Sequence, residues 1–167
     1  NLAWAYYGIA QAEMAQDQFG GAVKNLETTI SLSRHFLSAY DLLADAHEKM
    51  GNLNLAQNTL RAVLEVSPRS PERSKRLGDI SIKLKDWANA EQAYARIIRL
   101  ERETADETAD MYYDHLQAIT NLIASGQESD KTLNEKFKRS LTRLRIIGKE
   151  SPVVVTNSFR IEVQQYV

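Results

Sequence analysis

A spacing of 34 residues recurs along the chain from Ile9 to Leu100 and limits what this sequence can fold into. Three alanines share the spacing, and six further columns of mostly apolar residues keep the same register. The alanines are Ala22, Ala56 and Ala90, and the columns are Ile9/Leu43/Leu77, Ala10/Ala44/Gly78, Phe19/Leu53/Trp87, Leu26/Leu60/Tyr94, Ile30/Leu64/Ile98 and Leu32/Val66/Leu100. A period of about 34 residues is the length of one pair of helices with its turns. The sequence therefore predicts helix pairs stacked side by side.

Two of the columns hold small residues, which are needed where two helices cross. Helix axes approach to ordinary packing distance only if the side chains at the crossing are small. We expect the column from Ala10 to Gly78 to supply the small residue of each first helix. The column from Ala22 to Ala90 would supply that of each second helix. The pattern thus predicts antiparallel helices in close contact.

The columns resemble the tetratricopeptide repeat, whose units carry a large residue, leucine, a small residue, and later alanine, a large residue and often proline. The second unit matches best, with Gly51-Asn52 in its turn, whereas Arg34 in the first unit and Ser74 in the third depart from the pattern. The signature positions of the second unit hold Tyr40, Leu43, Ala44, Leu53, Ala56, Leu60 and Pro68. The resemblance implies an all-α fold, a right-handed superhelical solenoid of antiparallel helix pairs. It also implies that the chain is not an enzyme and acts by binding another protein or peptide.

Helix signals predict about nine helices in a single domain. We predict them at 2–16, 20–33, 37–50, 54–66, 71–85, 88–102, 108–125, 130–147 and 152–166. They divide into repeat 1 at 1–34, repeat 2 at 35–68, repeat 3 at 69–102 and a divergent repeat 4 at 103–150. Residues 151–167 form either the first helix of a truncated fifth repeat or a capping helix. The run Val153–Val155 also fits a strand, but β propensity is a weak guide and the helix is preferred.

Composition excludes several classes of function. The chain has no cysteine, so it has neither disulfides nor thiolate metal ligands. Its net charge of −1 gives no general attraction to nucleic acid. Its apolar runs are too short to cross a bilayer, and no signal peptide is visible. These observations favour a cytoplasmic protein that does not act at a membrane.

No arrangement of reactive side chains is visible in the sequence. His47 and Glu48 adjoin, but Gly51 stands where a two-histidine zinc motif needs its second histidine. His35 and His115 are isolated, and we expect His47 to be packed within a helix pair. The sequence therefore predicts no catalytic residue, no cofactor, no metal and no small-molecule substrate.

The resemblance places a concave binding groove along the first helices of the pairs. The inward positions hold Trp4, Tyr7, Gln11, Met14, Asp41, Asp45, Glu48, Glu72, Lys75, Asp79 and Ile82. Asp41, Asp45 and Glu48 share one helix face, where like charges gain nothing for folding. They form either a solvated face or a site for a basic or amphipathic segment of a partner. Trp4 and Tyr7 either anchor the apolar part of that ligand or pack against residues upstream of the chain.

Members of the family that bind chaperones clamp the carboxyl terminus of a peptide with inward lysine, asparagine and arginine residues. At the corresponding positions this chain has Tyr7, Gln11, Leu42, Glu72 and Arg76. Only Arg76 agrees with the clamp, and the acidic side chains nearby would repel an acidic ligand. The sequence therefore predicts that the clamp activity is absent.

Charge is distributed unevenly in the fourth repeat. Residues 101–114 hold six acidic residues and one basic residue, whereas residues 131–149 hold seven basic residues and one acidic residue. The candidate basic surface comprises Lys136, Arg139, Arg143 and Arg145. It is either a solvated outer face or a contact for nucleic-acid phosphates or an acidic partner. Few aromatic residues interleave to stack on bases, which favours the solvated face.

The alanine-rich units and the extended fourth unit are also similar to the carboxyl-terminal effector half of certain bacterial response regulators. This second resemblance implies an output module of a bacterial signalling protein, with a receiver domain upstream in the same chain. The sequence begins without methionine and within an apolar segment, so we expect a piece of a longer protein. A non-catalytic accessory region of a larger enzyme is the alternative context.

Overall fold

The computed structural model of the chain describes residues 2–104, 109–126 and 130–150. This part of the chain consists of helices joined by turns. The helices are α1 (Leu2–Ala15), α2 (Phe19–Leu32), α3 (Leu37–Lys49), α4 (Leu53–Val66), α5 (Pro71–Lys83), α6 (Trp87–Thr104), α7 (Ala109–Ser125) and α8 (Asp130–Glu150). The all-α prediction is confirmed, and the first eight predicted helices are found within a few residues of their predicted bounds. The ninth, at 152–166, lies outside the described residues.

The helices pack in the order in which they occur along the chain. Each helix contacts the next, and α1 also touches α3. The hairpins α1–α2, α3–α4, α5–α6 and α7–α8 thus stack into a solenoid. Buried apolar side chains run through the stack as three clusters. The repeat boundaries drawn from the sequence stay predictions.

The columns of small residues lie at the helix crossings. The alanines at these positions are all fully buried: Ala10, Ala22, Ala44, Ala56 and Ala90. In the third hairpin, glycine replaces alanine on the first helix and tyrosine replaces leucine on the second. A Cβ added at Gly78 would lie 2.7 Å from Cζ of Tyr94, much closer than carbon atoms in contact. The larger ring of Tyr94 therefore requires the smaller residue at Gly78, whereas Leu26 and Leu60 leave room for alanine.

A residue in the left-handed conformation lies in the turn of every hairpin. The φ angles are 58° at Asp17, 75° at Gly51, 57° at Lys85 and 68° at Gly126. The first three residues are 34 positions apart, so they form a further column that the sequence pattern missed. Glycine alone adopts this conformation without strain. Because Asp17 and Lys85 are not glycine, the sequence gives no signal for two of the three turns.

Two of the apolar columns include an exposed residue. Leu43 and Leu77 are buried against side chains of the preceding hairpin. Ile9 lies on α1, the first of the described helices, and is 49% exposed. Leu32, the last residue of α2, is also 49% exposed. The period therefore predicts which face of each helix is buried, but it overstates the burial of residues at the ends of the stack and at the ends of the helices.

A local cap fixes the start of α5, which carries much of the candidate site. Ser70 accepts a hydrogen bond at its hydroxyl from the backbone N–H of Arg73 at 3.3 Å, and Pro71 occupies the first turn. Both devices satisfy or remove backbone donors that a helix start leaves unpaired.

Candidate functional site

The acidic residues of α3 are paired with two arginines of α5. Arg73 donates from Nε to Oδ1 and from Nη2 to Oδ2 of Asp41, each at 2.7 Å. Arg76 donates from Nε to Oε1 of Glu48 at 2.7 Å and also contacts Asp45. The two parallel hydrogen bonds between Arg73 and Asp41 fix the orientation of both groups. These pairs join the first helices of the second and third hairpins.

The expectation that these like charges gain nothing for folding is therefore wrong. Asp41, Asp45 and Glu48 repel one another along α3, but each of them lies against a guanidinium of the next hairpin. Because the carboxylates are partly exposed, each pair stabilises the contact by about 1 kcal/mol at most. Contact of these residues with a partner stays a prediction.

The line of charged pairs continues from α5 to α7. Lys75 lies 3.3 Å from Asp79, one turn along α5, and 3.4 Å from Asp114 of α7. The hydroxyl of Tyr94 donates a hydrogen bond to Asp79 at 2.8 Å. Burial raises the pKa of Asp114 above its ordinary value, since Lys75 only partly offsets the loss of solvent. Charged side chains thus connect three successive first helices, α3, α5 and α7.

An aromatic cluster continues this surface onto α1. The ring centroid of Phe36 lies 4.5 Å from that of Trp4 and 4.7 Å from that of Tyr7. The rings of Trp4 and Tyr7 meet edge to face, with centroids 6.1 Å apart. Trp4 nevertheless remains 62% exposed. Phe36 was missed because it precedes α3 and belongs to no helical column.

We call the residues joined in this way the first-helix surface. It comprises Trp4, Tyr7, Asp41, Asp45, Glu48, Lys75 and Asp79, which the sequence predicted, and Phe36, Arg73, Arg76 and Asp114, which it did not. Five carboxylates thus stand beside three cations on this surface. Of the other predicted residues, Gln11 and Glu72 are exposed. Met14 and Ile82 are half-buried and pack against the apolar core.

A second polar network is buried between α6, α7 and α8. Nε2 of His115 lies 3.1 Å from Oε1 of Glu91, and Nδ1 lies 2.8 Å from the hydroxyl of Ser140. Nζ of Lys136 lies 3.0 Å from the same Glu91 oxygen. Burial would raise the pKa of Glu91, but hydrogen bonds with His115 and Lys136 hold it below its ordinary value. His115, which is isolated in the sequence, is therefore not isolated in the fold.

This network contains the three groups of a hydrolase triad, but its surroundings do not suit catalysis. Ser140 is 5% exposed and lies inside α8, where backbone N–H groups are bonded along the helix. Acyl transfer needs a nucleophile that substrate can reach and N–H donors aimed at the developing oxyanion. The network instead holds α7 and α8 against α6, as buried polar groups do when they are paired.

The predicted basic surface is divided between two grooves. Lys136, Arg139 and Arg143 line a groove of about 580 Å³ between α6, α7 and α8, which we call the α6–α8 groove. Arg145 lines a separate groove of about 420 Å³ between α7 and α8. Lys138 borders both grooves. The four residues predicted as one surface therefore do not share one groove.

Histidines and carboxylates do not assemble into a metal site in the part of the chain that the structure describes. His47 is 6% exposed, as expected for a histidine packed within a hairpin, and His35 is exposed between α2 and α3. None of α1 to α8 is both long and apolar enough to span a bilayer.

The repeat and the fold are both found in known proteins. Residues 37–70 match the model of the tetratricopeptide repeat. The match to the crystal structure of MamA protein covers 92% of this chain and 77% of the MamA chain, with 13% identity and a TM-score of 0.62. The match to the first TPR of Spaghetti (RPAP3), bound to the HSP90 peptide SRMEEVD, covers 73% of this chain and 94% of that structure, with 12% identity and a TM-score of 0.57. A third match is to the Yersinia enterocolitica type III secretion chaperone SycD in complex with a peptide of the translocator YopD. It covers 68% of this chain and 89% of SycD, with 13% identity and a TM-score of 0.55. No curated protein sequence matches.

The fold and the first-helix surface define a class of molecule, the α-helical solenoids built from repeated hairpins. Within that class, residues 37–70 match the tetratricopeptide repeat, and the described helices have the fold of solved tetratricopeptide repeat structures. The first resemblance drawn from the sequence is thus confirmed. The second, to effector regions of response regulators, has no support in these comparisons and stays a prediction.

Proposed function

We propose that this chain is a protein-interaction scaffold that binds a segment of a partner protein on its first-helix surface. The observation that carries the proposal is the aromatic cluster of Trp4, Tyr7 and Phe36, in which Trp4 stays 62% exposed at the start of the charged face of α3. A large ring that folding leaves in water is a strong anchor for a partner. Two solved structures of similar fold hold peptides, which supports the same kind of role here.

The charge of the first-helix surface favours a basic partner segment. Its carboxylates outnumber its cations, and the side chains of Asp45 and Asp79 are 47% and 45% exposed although both are paired. An apolar side chain seated on Trp4 would fix the segment, and lysine or arginine side chains would approach the exposed carboxylates. The ligand we propose is therefore basic and amphipathic.

An acidic peptide such as SRMEEVD is not the ligand that this surface favours. Arg76, the one residue that agrees with the carboxylate clamp, is already engaged by Glu48 and Asp45. Leu42 is half-buried and packs against the apolar core. The charged groups that a carboxyl terminus needs are thus either missing from these positions or occupied.

The narrower context rests on the second resemblance alone. In that context the chain is a cytoplasmic output module of bacterial signalling, attached to an upstream receiver domain. The coding sequence upstream tests it: a receiver domain there would support signalling, and a catalytic domain would support an accessory region of an enzyme. Nucleic-acid binding through the basic helix α8 is the other alternative, and the oligonucleotide experiment below tests it.

A fluorescent amphipathic leucine–lysine peptide tests binding at the first-helix surface. The chain has two tryptophans, so in a Trp87→Phe background the emission of Trp4 reports contact at this surface alone. We expect the peptide to shift Trp4 emission to shorter wavelength. Fluorescence anisotropy of the labelled peptide should show roughly tenfold weaker binding to Trp4→Ala.

Matched variants separate this surface from general stickiness. Leu55→Ala is the control for Trp4→Ala, because Leu55 is an apolar residue of α4 that is 48% exposed. Asp45→Asn should weaken binding, whereas Glu65→Gln on the exposed face of α4 should not. The proposal is refuted if the test and control variants lose peptide affinity equally. It is also refuted if a leucine–glutamate peptide of the same pattern shifts the emission of Trp4.

A further inference from the structure

The α6–α8 groove combines an apolar floor with a basic rim. The floor is lined by Ala95, Ile98, Tyr112 and Ile146, and the rim by Lys136, Lys138, Arg139 and Arg143. Its described lining includes no aspartate or glutamate. Ile146 is 42% exposed within this setting. The groove therefore offers apolar contact and positive charge to the same ligand.

Folding does not account for two of the charges on the rim, those of Lys138 and Arg139. Lys136 pairs with buried Glu91 but keeps 40% of its side chain exposed. Lys138 and Arg139 are exposed, and the described residues give neither of them an ion-pair partner. Basic residues within one turn of each other on a helix repel, which costs stability rather than adding to it. A ligand of opposite charge is a physical reason to have them beside an apolar groove.

We propose that the α6–α8 groove is a second docking site, which takes an acidic amphipathic helix of a partner protein. Leucine or isoleucine side chains of that helix would cover Ile98 and Ile146. Glutamates and aspartates flanking them would reach Lys138 and Arg139. Electrostatic complementarity of this kind directs the approach and orientation of the partner, and burial of the apolar floor holds it.

The groove favours a protein segment over a nucleic acid. Single-stranded nucleic acids bind by stacking bases on exposed rings along a basic path. The aromatic residue of this groove, Tyr112, is 2% exposed and offers no free face for a base. Phosphates would also leave the exposed side chain of Ile146 without an apolar partner.

The second site is independent of the first-helix surface. On α7, Asp114 contacts Lys75 on the first-helix surface, whereas Tyr112 and His115 line the α6–α8 groove. The two sites also prefer ligands of opposite charge. Failure of the leucine–lysine peptide to bind would therefore refute the proposed function and leave this inference standing.

A fluorescent amphipathic leucine–glutamate peptide tests the site by anisotropy on the full chain. Lys138→Glu combined with Arg139→Glu should weaken binding roughly tenfold or more, because two attractions become repulsions. The control pair is Lys24→Glu with Lys49→Glu, which makes the same change in net charge at exposed residues of the first two hairpins. Ile146→Ser should also weaken binding, and Leu55→Ser is its control. Circular dichroism would verify that all variants keep their helices.

Two results would support the site and three would overturn it. Support requires loss of affinity in the rim pair and in Ile146→Ser, with affinity unchanged in both controls. Absence of measurable binding by the peptide, or an equal loss in the control pair, would overturn the site. Tighter binding of a single-stranded oligonucleotide than of the peptide, insensitive to Ile146→Ser, would also overturn it and assign the rim to nucleic acid.

Discussion

Replacement of Gly78 by alanine should destabilise the third hairpin, although the same replacement usually stabilises a helix. An added Cβ would lie 2.7 Å, 2.9 Å and 3.0 Å from Cζ, Cε1 and Cε2 of Tyr94. Carbon atoms in contact are about 3.5–4.0 Å apart. Tyr94 is 1% exposed and its hydroxyl is bonded to Asp79, so the ring has no free space to enter.

The expected change combines two opposing effects. Overpacking of a buried crossing costs roughly 1–3 kcal/mol. Removal of the backbone freedom of a helical glycine stabilises the helix by about 1 kcal/mol. We therefore expect Gly78→Ala to lower the free energy of unfolding by about 1 kcal/mol. In a Tyr94→Leu background, which restores the alanine and leucine pairing of the first two hairpins, the same change should raise it by about 1 kcal/mol.

Urea unfolding of the four proteins, followed by circular dichroism, measures the coupling between these residues. We expect a coupling of about 2 kcal/mol, with similar urea dependence in each protein so that the values are comparable. Gly8→Ala is the matched control, because nothing lies within 4 Å of a Cβ added there. Gly8→Ala should raise the free energy of unfolding both in the native chain and in the Tyr94→Leu background. If Gly78→Ala changes the free energy of unfolding by the same amount with and without Tyr94, the ring is not what requires glycine and the reasoning is refuted.

Three further predictions concern single residues. Lys85→Gly should stabilise the chain by about 1 kcal/mol, because Lys85 holds a left-handed φ of 57°; an unchanged melting temperature would show that the turn is not strained. Ala56→Leu should destabilise the fully buried crossing by roughly 1–3 kcal/mol, and an unaltered melting temperature would contradict the position assigned to Ala56. Burial lowers the pKa of His47 from 6.5, so below that pH the unfolded chain binds a proton that the native chain does not, and stability should fall. Urea midpoints between about pH 7 and pH 5 should fall less in His47→Leu than in the native chain, and equal falls would remove His47 from the explanation.

Residue spacing predicted the apolar contacts because each depends on positions within one hairpin or in the next. Ala22 and Ala56 needed only the 34-residue period to be placed at crossings. The ion pairs were missed because they depend on how one helix is rotated against another, which no apolar pattern fixes. Asp41 and Arg73 are 32 residues apart, and Glu48 and Arg76 are 28 apart. Opposite charges slightly less than one period apart were therefore an available signal.

Other parts of the candidate site lay outside any periodic pattern. Phe36 completes the aromatic cluster from a turn, where helical spacing says nothing about side-chain direction. The contact of Glu91 with His115 spans the junction between the third and fourth hairpins, where the 34-residue register has already ended. Such contacts depend on the path of the connection between α6 and α7, which composition and propensity do not determine.

The Gly78–Tyr94 contact lies within one hairpin, whereas the ion pairs of α5 join two hairpins. The exchange of size between Gly78 and Tyr94 is completed inside one hairpin, so that hairpin would keep its interior wherever it stood along the chain. Arg73 and Arg76, by contrast, find their carboxylates in the hairpin before them. A chain with its second and third hairpins transposed would therefore retain well-packed units but lose their matching. The charged pairs thus act together with the apolar contacts between hairpins in specifying the serial order of these units.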